Sequence, residues 1–239
     1  MSTPTDKAAR KIGLIGGTGP ESTLIYYQRL IKGVQEKLGP EVVAPMVIEN
    51  LSAFEVFRFL GEDDREGALQ YLLAGVRNLQ AAGAEFGALT ANTTHLVFEQ
   101  LAELSPIPLI SSIDSTVRAV KEGGHGSVAL LGTEFTMVND FLSAPLRDAG
   151  VHVAIPDTGE IAFIQQRIAE ELELGKVTED TQRGFQQIVE RLIEEEQIEL
   201  VILACTELPL LFDTMDISVP TLDTIEPHVA DLIEAITGK

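Results

Sequence analysis

The sequence predicts an α/β protein of two pseudo-symmetric three-layer lobes with mainly parallel sheets and an active site in the inter-lobe cleft. Three observations lead there. Short runs of β-branched and aliphatic residues alternate with longer segments whose apolar residues recur every three to four positions. Glycines stand where those longer segments would stop. Three motifs also occur twice, in the same order and at nearly one offset.

Eight runs are strand-like: Lys11–Gly16, Val42–Glu49, Phe86–Ala91, Pro108–Ser111, Ser127–Gly132, Val151–Ile155, Leu200–Ala204 and Val219–Leu222. Helical patterning lies between them, clearest over Glu66–Ala82, Ile161–Leu174 and Asp180–Gln197, with stops at Gly39, Gly83, Gly123, Gly150 and Gly175. Buried strands alternating with helices imply parallel sheets covered on both faces. Residues 1–10 are polar, lack the apolar core of a secretory signal and are expected to form a disordered tail.

The repeat sets the domain organisation. Leu14-Ile15-Gly16-Gly17-Thr18 parallels Leu130-Leu131-Gly132-Thr133, an offset of 132 − 16 = 116. Ala88–Thr93 parallels Ile202–Glu207, which pairs Ala91 with Cys205 at an offset of 114. Pro106–Ser112 parallels Ile217–Thr224, with 220 − 108 = 112. The first lobe is expected over residues 11–110 with 223–239, and the second over 111–222. Ligands of open parallel sheets bind beyond the carboxyl ends of the strands, where the repeated motifs fall.

Composition narrows the function. The chain has 239 residues, 45% hydrophobic and 23% charged, and no apolar run near the ~20 residues of a membrane helix. A net charge of −20, from 17 Lys+Arg against 37 Asp+Glu, argues against nucleic acid as a partner. It also requires that any acidic ligand meet a local concentration of donors. The single cysteine excludes an internal disulfide and fits a reducing, cytoplasmic setting. His125, His152 and His228 form no metal-ligand spacing with one another or with Cys205.

Cys205 is the leading catalytic candidate. A lone cysteine is often a small buried hydrophobe, but this one stands at a strand-to-helix junction ahead of Thr206, Glu207 and Leu208-Pro209. A helix start lowers a thiol pKa, so a reactive thiolate is expected. Asn92-Thr93-Thr94-His95 reads either as helix capping or as a carboxylate cradle, and His95 as a group satisfying a backbone carbonyl. Gly16-Gly17-Thr18-Gly19-Pro20 matches neither the dinucleotide fingerprint nor the P-loop. Its backbone and Thr18 could approach a small ligand, and a tight turn is the plainer reading. Thr133 and Thr136 could bind a carboxylate or cap the following helix. Arg58 and Lys176 are the cations considered for a distal carboxylate, since either could lie on a loop near strand ends; surface solvation is the plainer reading of each alone.

Four blocks together resemble the aspartate/glutamate racemase family, in particular its aspartate racemase branch: Ile12–Thr23, Ala91–His95, Val128–Thr133 and Cys205–Leu208. The resemblance spans nearly the whole chain. It implies two pseudo-symmetric lobes, a homodimer, an acidic amino-acid substrate, and Cα proton transfer without pyridoxal phosphate or metal. In that family two cysteines serve opposite faces of the Cα centre. Cys205 corresponds to the second, and the first would fall at Ala91, which cannot carry a proton.

Several explanations stand open. Thr90, Thr94 or a water could serve the other face, or Ala91 could be an introduced substitution that traps substrate. The chemistry could instead be one-sided, as in the related arylmalonate decarboxylases, or the chain could bind an amino acid without turnover. On the racemase reading Cys205 transfers the proton, while Asn92, Thr93 and Thr206 hold the α-carboxylate. Thr18 and Thr133 then line the site, with Glu207 beside them, and Arg58 or Lys176 meets a side-chain carboxylate.

Overall fold

In the computed structural model, residues 9–238 are described. They divide into two units, one running to Ser112 and resuming from His228, the other Ile113–Pro227. Of the expected tail, residues 1–8 lie outside the described residues. Arg10 donates its N–H to the Ile236 carbonyl at 2.9 Å.

The first unit is built on β1 (Ile12–Gly16), α1 (Pro20–Leu38), β2 (Met46–Asn50), α2 (Ala53–Gly61), α3 (Arg65–Ala81) and β3 (Phe86–Leu89). A 3-10 helix (Asn92–Val97), α4 (Phe98–Leu104) and β4 (Leu109–Ile110) follow, and α5 (Ser112–Glu122) carries the chain into the second unit. Its four strands run parallel in the order β2-β1-β3-β4. All five residues of β1 are buried, as a central strand covered on both faces requires. Ile15 and Leu89 pack with Leu69, Leu72, Leu73, Val76 and Leu79 of α3. Helix α1 opens on Pro20, whose missing N–H costs nothing in a first turn, and buries Thr23, Tyr26, Leu30 and Val34 at helical spacing.

The second unit repeats the plan with β5 (Ser127–Leu131), α6 (Glu134–Val138), α7 (Asp140–Asp148), β6 (His152–Ala154) and α8 (Thr158–Glu170). After a 3-10 turn at Leu172–Leu174 come α9 (Glu179–Glu196), β7 (Leu200–Leu203), α10 (Leu208–Phe212) and β8 (Thr221–Asp223), and α11 (Ile225–Thr237) belongs to the first unit from His228 onward. The parallel order β6-β5-β7-β8 is that of the first sheet, strand for strand. Alternate residues of β5 go to opposite faces. Ala129 and Leu131 pack with Ile164, Ile168, Phe185, Val189 and Leu192 of α8 and α9. Val128 and Leu130 pack with Leu142 and Leu146 of α7. This is the three-layer lobe that the alternating patterns predict.

Boundaries differ where proline intervenes. The run at Val42–Glu49 pairs only from Met46, and that at Val219–Leu222 only from Thr221, each directly after a proline that has no N–H to donate to a ladder. The expected helix Ile161–Leu174 stops at Glu170, and Leu172–Leu174 tightens into a 3-10 turn closed by Gly175 at φ 68°.

Candidate active site

In each sheet the chain turns just past a strand's carboxyl end, and the two central loops lie side by side. Ala91 stands two residues beyond the end of β3, and Cys205 two residues beyond the end of β7. The repeat thus places the two at equivalent points of equivalent sheets.

In the first unit, Gly17 has φ 78°, and a Cβ there would lie 2.2 Å from the Leu51 carbonyl oxygen, so only glycine permits the turn out of β1. The Gly17 N–H donates to Thr23 Oγ1 at 3.1 Å, and Thr23 Oγ1 donates to the Gly19 carbonyl at 2.8 Å. A methyl at Gly19 would stand 3.9 Å from Ala91 Cβ, so these two small residues face each other. Thr18 is 6% exposed, and its buried hydroxyl has no hydrogen-bond partner. A buried hydroxyl left unpaired is costly, and a ligand would relieve that cost.

The neighbouring hydroxyls are committed to the protein. Thr90 Oγ1 donates to the Ile15 carbonyl at 3.1 Å and lies 3.1 Å from Thr23 Oγ1. Thr94 Oγ1 donates to the Ala91 carbonyl at 2.6 Å. Asn92 and Thr93 are half-buried. Asn92 Oδ1 accepts from Ser112 Oγ at 2.9 Å.

In the second unit, Thr133 caps α6 by accepting the Thr136 N–H at 3.4 Å, and the two hydroxyls lie 3.1 Å apart. A Cβ at Gly132 would stand 3.4 Å from Ala204 Cβ, so the loops after β5 and β7 adjoin. There Cys205 Sγ donates to Glu207 Oε2 at 2.8 Å, and Thr206 Oγ1 donates to Glu207 Oε1 at 2.8 Å. One carboxylate collects both donors.

The expected thiolate is overturned. Burial, then the negative charge of Glu207 and the hydrogen bond to it, raise the Cys205 pKa well above its usual value. The Glu207 main-chain hydrogen bond acts the other way, but burial and the carboxylate outweigh it. Cys205 rests as a neutral thiol.

Arg58 sits inside α2 rather than on a loop, exposed, with Glu55 at 3.0 Å and Glu62 at 3.1 Å. The i, i+3 and i, i+4 spacings of a helix bring those three together. Lys176 is exposed on the loop before α9, its N–H bonded to the Glu171 carbonyl at 2.9 Å. Thr23 and Ser112 were missed by sequence reasoning; the signal for Ser112 was its place at the end of the third repeated motif. Among the described residues, no group of three or more His, Cys, Asp or Glu could hold a metal ion, and no helix is long and apolar enough to cross a membrane.

Two parallel α/β units of one strand order, with a thiol–carboxylate pair at a strand end, define the class: a two-lobed enzyme built by duplication. The Asp/Glu/Hydantoin racemase family model matches residues 15–232. The chain belongs to that family and is an isomerase of the racemase kind. The broad specificity amino-acid racemase RacX of Bacillus subtilis (strain 168) is 25% identical over 217 residues, covering 89% of this chain and 92% of that one. The crystal structure of PH1733, an aspartate racemase homologue from Pyrococcus horikoshii OT3, is 36% identical with a TM-score of 0.85, covering 96% of this chain and 100% of that chain. Glutamate racemase from Francisella tularensis subsp. tularensis SCHU S4, in complex with D-glutamate, is 14% identical with a TM-score of 0.62 over 94% of this chain and 80% of that chain, a likeness of fold alone.

Proposed function

We propose that this chain transfers the Cα proton of an amino acid through Cys205, with aspartate, glutamate or a similar acidic amino acid as substrate. The observation that carries this is the 2.8 Å contact of Cys205 Sγ with Glu207 Oε2. Glu207 accepts the thiol proton, and the thiolate left beside it removes the Cα hydrogen. The same thiol then returns a proton to the carbanion-like intermediate.

Thr18, Asn92, Thr93 and Thr133 provide polar contacts to the substrate, and hydrogen bonds to its α-carboxylate stabilise the charge that develops there. Thr206 holds Glu207 in place. Lys176 is the better cation for a side-chain carboxylate, because Arg58 is already neutralised by two glutamates. By resemblance the enzyme works without pyridoxal phosphate or metal, as a cytoplasmic homodimer.

Ala91 favours a second reading, one-sided proton exchange or decarboxylation by a single thiol, since the hydroxyls of Thr90 and Thr94 are bonded to main-chain carbonyls. Incubation with each enantiomer of aspartate and glutamate in D₂O tests both. Deuterium wash-in that is lost in Cys205→Ser supports proton transfer, and inversion alongside wash-in supports racemisation. Full wash-in by Cys205→Ser would overturn the assignment.

A further inference from the structure

Glu171 caps the C-terminal end of α8, and its side chain is 13% exposed. Its carboxylate gathers three donors. Oε1 accepts from Arg167 Nη1 at 2.6 Å, and Oε2 accepts from Thr178 Oγ1 at 2.9 Å and from Thr181 Oγ1 at 2.6 Å. Its main-chain carbonyl accepts two more, the Leu174 N–H at 3.0 Å and the Lys176 N–H at 2.9 Å. Thr178 is in turn the N-cap of α9 and takes the Thr181 N–H at 3.2 Å. One residue thus ties the end of α8 to the start of α9 and fixes the turn between them. Hydrogen bonds to an ionised acceptor are the strong ones, so this turn is held firmly although residues 173–176 are exposed.

The turn stands beside Cys205. Leu172 is 2% exposed in the core cluster against which Val177 and Cys205 both pack. The charge of Glu173 is among those that raise the Cys205 pKa. Lys176 lies between these residues. Among the described residues its ammonium pairs with no carboxylate, whereas Arg167, Arg183 and Arg191 of the same unit each pair with one. An anion approaching Cys205 meets the charges of Glu207 and Glu173. Lys176, on the same turn as Glu173, is a positive charge to set against them.

We propose that Glu171 is a positioning residue, which through the turn it clamps holds Lys176 beside Cys205 and so selects acidic over neutral amino acids. This rests on the reading of Lys176 as the cation for a side-chain carboxylate. A purely structural Glu171 would stabilise the fold and leave the charge felt at the thiol unchanged.

The test alkylates the full chain, whose single cysteine makes the product unambiguous, with iodoacetate and with iodoacetamide. The reagents differ by a carboxylate charge, so the ratio of their rates reports the cation near Cys205, and the thiolate population cancels. In Lys176→Met the ratio should fall about fivefold at low ionic strength. Glu171→Ala should lower it too, although deleting a negative charge would by itself raise it. Thr181→Val, which removes one donor without changing charge, should give a smaller fall, and it decides the matter if Glu171→Ala does not fold. Glu171→Ala combined with Lys176→Met should match Lys176→Met alone, as two changes acting through one group do. A ratio raised or unchanged in Glu171→Ala, while Lys176→Met lowers it, overturns the positioning role alone. An unchanged ratio in Lys176→Met overturns the reading of Lys176 and the proposal with it. Protection of Cys205 from iodoacetamide by aspartate, compared with alanine, reads selection without turnover. Protection by aspartate should weaken in step with the ratio while that by alanine stays constant. Equal changes for both, or no protection by aspartate in the unmodified protein, overturn the selection.

Discussion

Cys205 Sγ donates a hydrogen bond to Glu207 Oε2 across 2.8 Å. The charge of Glu207 opposes ionisation of the thiol, yet its oxygen is also the nearest place for the thiol proton to go. Catalysis by this pair would draw on both properties, an acid that is reluctant to ionise and a strong base once it has.

Glu207→Gln separates the two. Removing the carboxylate charge lowers the Cys205 pKa relative to the unmodified protein, though burial, the largest cause of the rise, keeps it above an ordinary thiol. The pH profile of iodoacetamide alkylation should shift toward lower pH in the variant. Wash-in should fall by ~10²–10⁴, the range typical of a lost acid–base group. An alkylation profile identical in the two proteins would show that Glu207 does not control the thiol.

Ala91→Cys tests the equivalence of the two strand ends. Gly19, which has no side chain, faces Ala91. If two-sided chemistry lacks only this group, inversion of the substrate enantiomer should rise by ~10²–10⁴, with a much smaller change in wash-in. Chiral chromatography after timed incubation measures it. A variant that inverts no faster than the parent would mean that another group already serves that face.

The loops around these residues were legible because they repeat. Ala91 and Cys205 emerged as equivalents from aligned motifs, and β3 and β7 place both two residues past a strand. What sequence could not convey was the direction of side chains. Glu207 is adjacent to Thr206 in either case, but only its rotation back toward Sγ adds a carboxylate's charge and hydrogen bond to the burial that raises the Cys205 pKa. A loop position for Arg58 is one the sequence allows, because no strong pattern marks the run after β2. Once Ala53–Gly61 is a helix, Glu55 and Glu62 necessarily reach it. The bridge from His95 to Ser112 spans 17 positions, a contact that no local pattern encodes.

Thr18→Val separates stability from binding. The Thr18 hydroxyl is buried without a partner, so an isosteric apolar side chain removes an unpaired group and should raise stability by about 1 kcal/mol. If that hydroxyl meets substrate, KM should rise in the same variant. Denaturation and wash-in kinetics on one preparation would measure both. A destabilised variant would mean that the hydroxyl is bonded in solution, by water or otherwise.

His228 makes acid stability a test of the first unit. It is fully buried, with Nδ1 2.7 Å from the Tyr26 hydroxyl and Nε2 3.0 Å from the Ile110 carbonyl oxygen. The carbonyl can only accept, so Nε2 carries the hydrogen and Nδ1 accepts from Tyr26. Burial pushes its pKa down to about 4, from an unfolded value near 6.5. Between those two values the unfolded chain binds a proton that the folded chain does not, so stability rises with pH across that window. The contribution is therefore complete above about pH 6.5 and is lost as pH falls toward 4. By pH 5 the loss is roughly 2 kcal/mol, from ~1.4 kcal/mol per pH unit over ~1.5 units. His95, with its pKa pushed to about 3, adds a similar slope over the same interval. His228→Gln keeps a donor for the Ile110 carbonyl and removes the titration, so it should be less stable than its parent at pH 7 but lose less between pH 7 and 5. Urea midpoints for both proteins at the two pH values give the comparison directly. Equal losses in parent and variant would mean that His228 is not held neutral by the fold, and the acid sensitivity would then have to come from other groups.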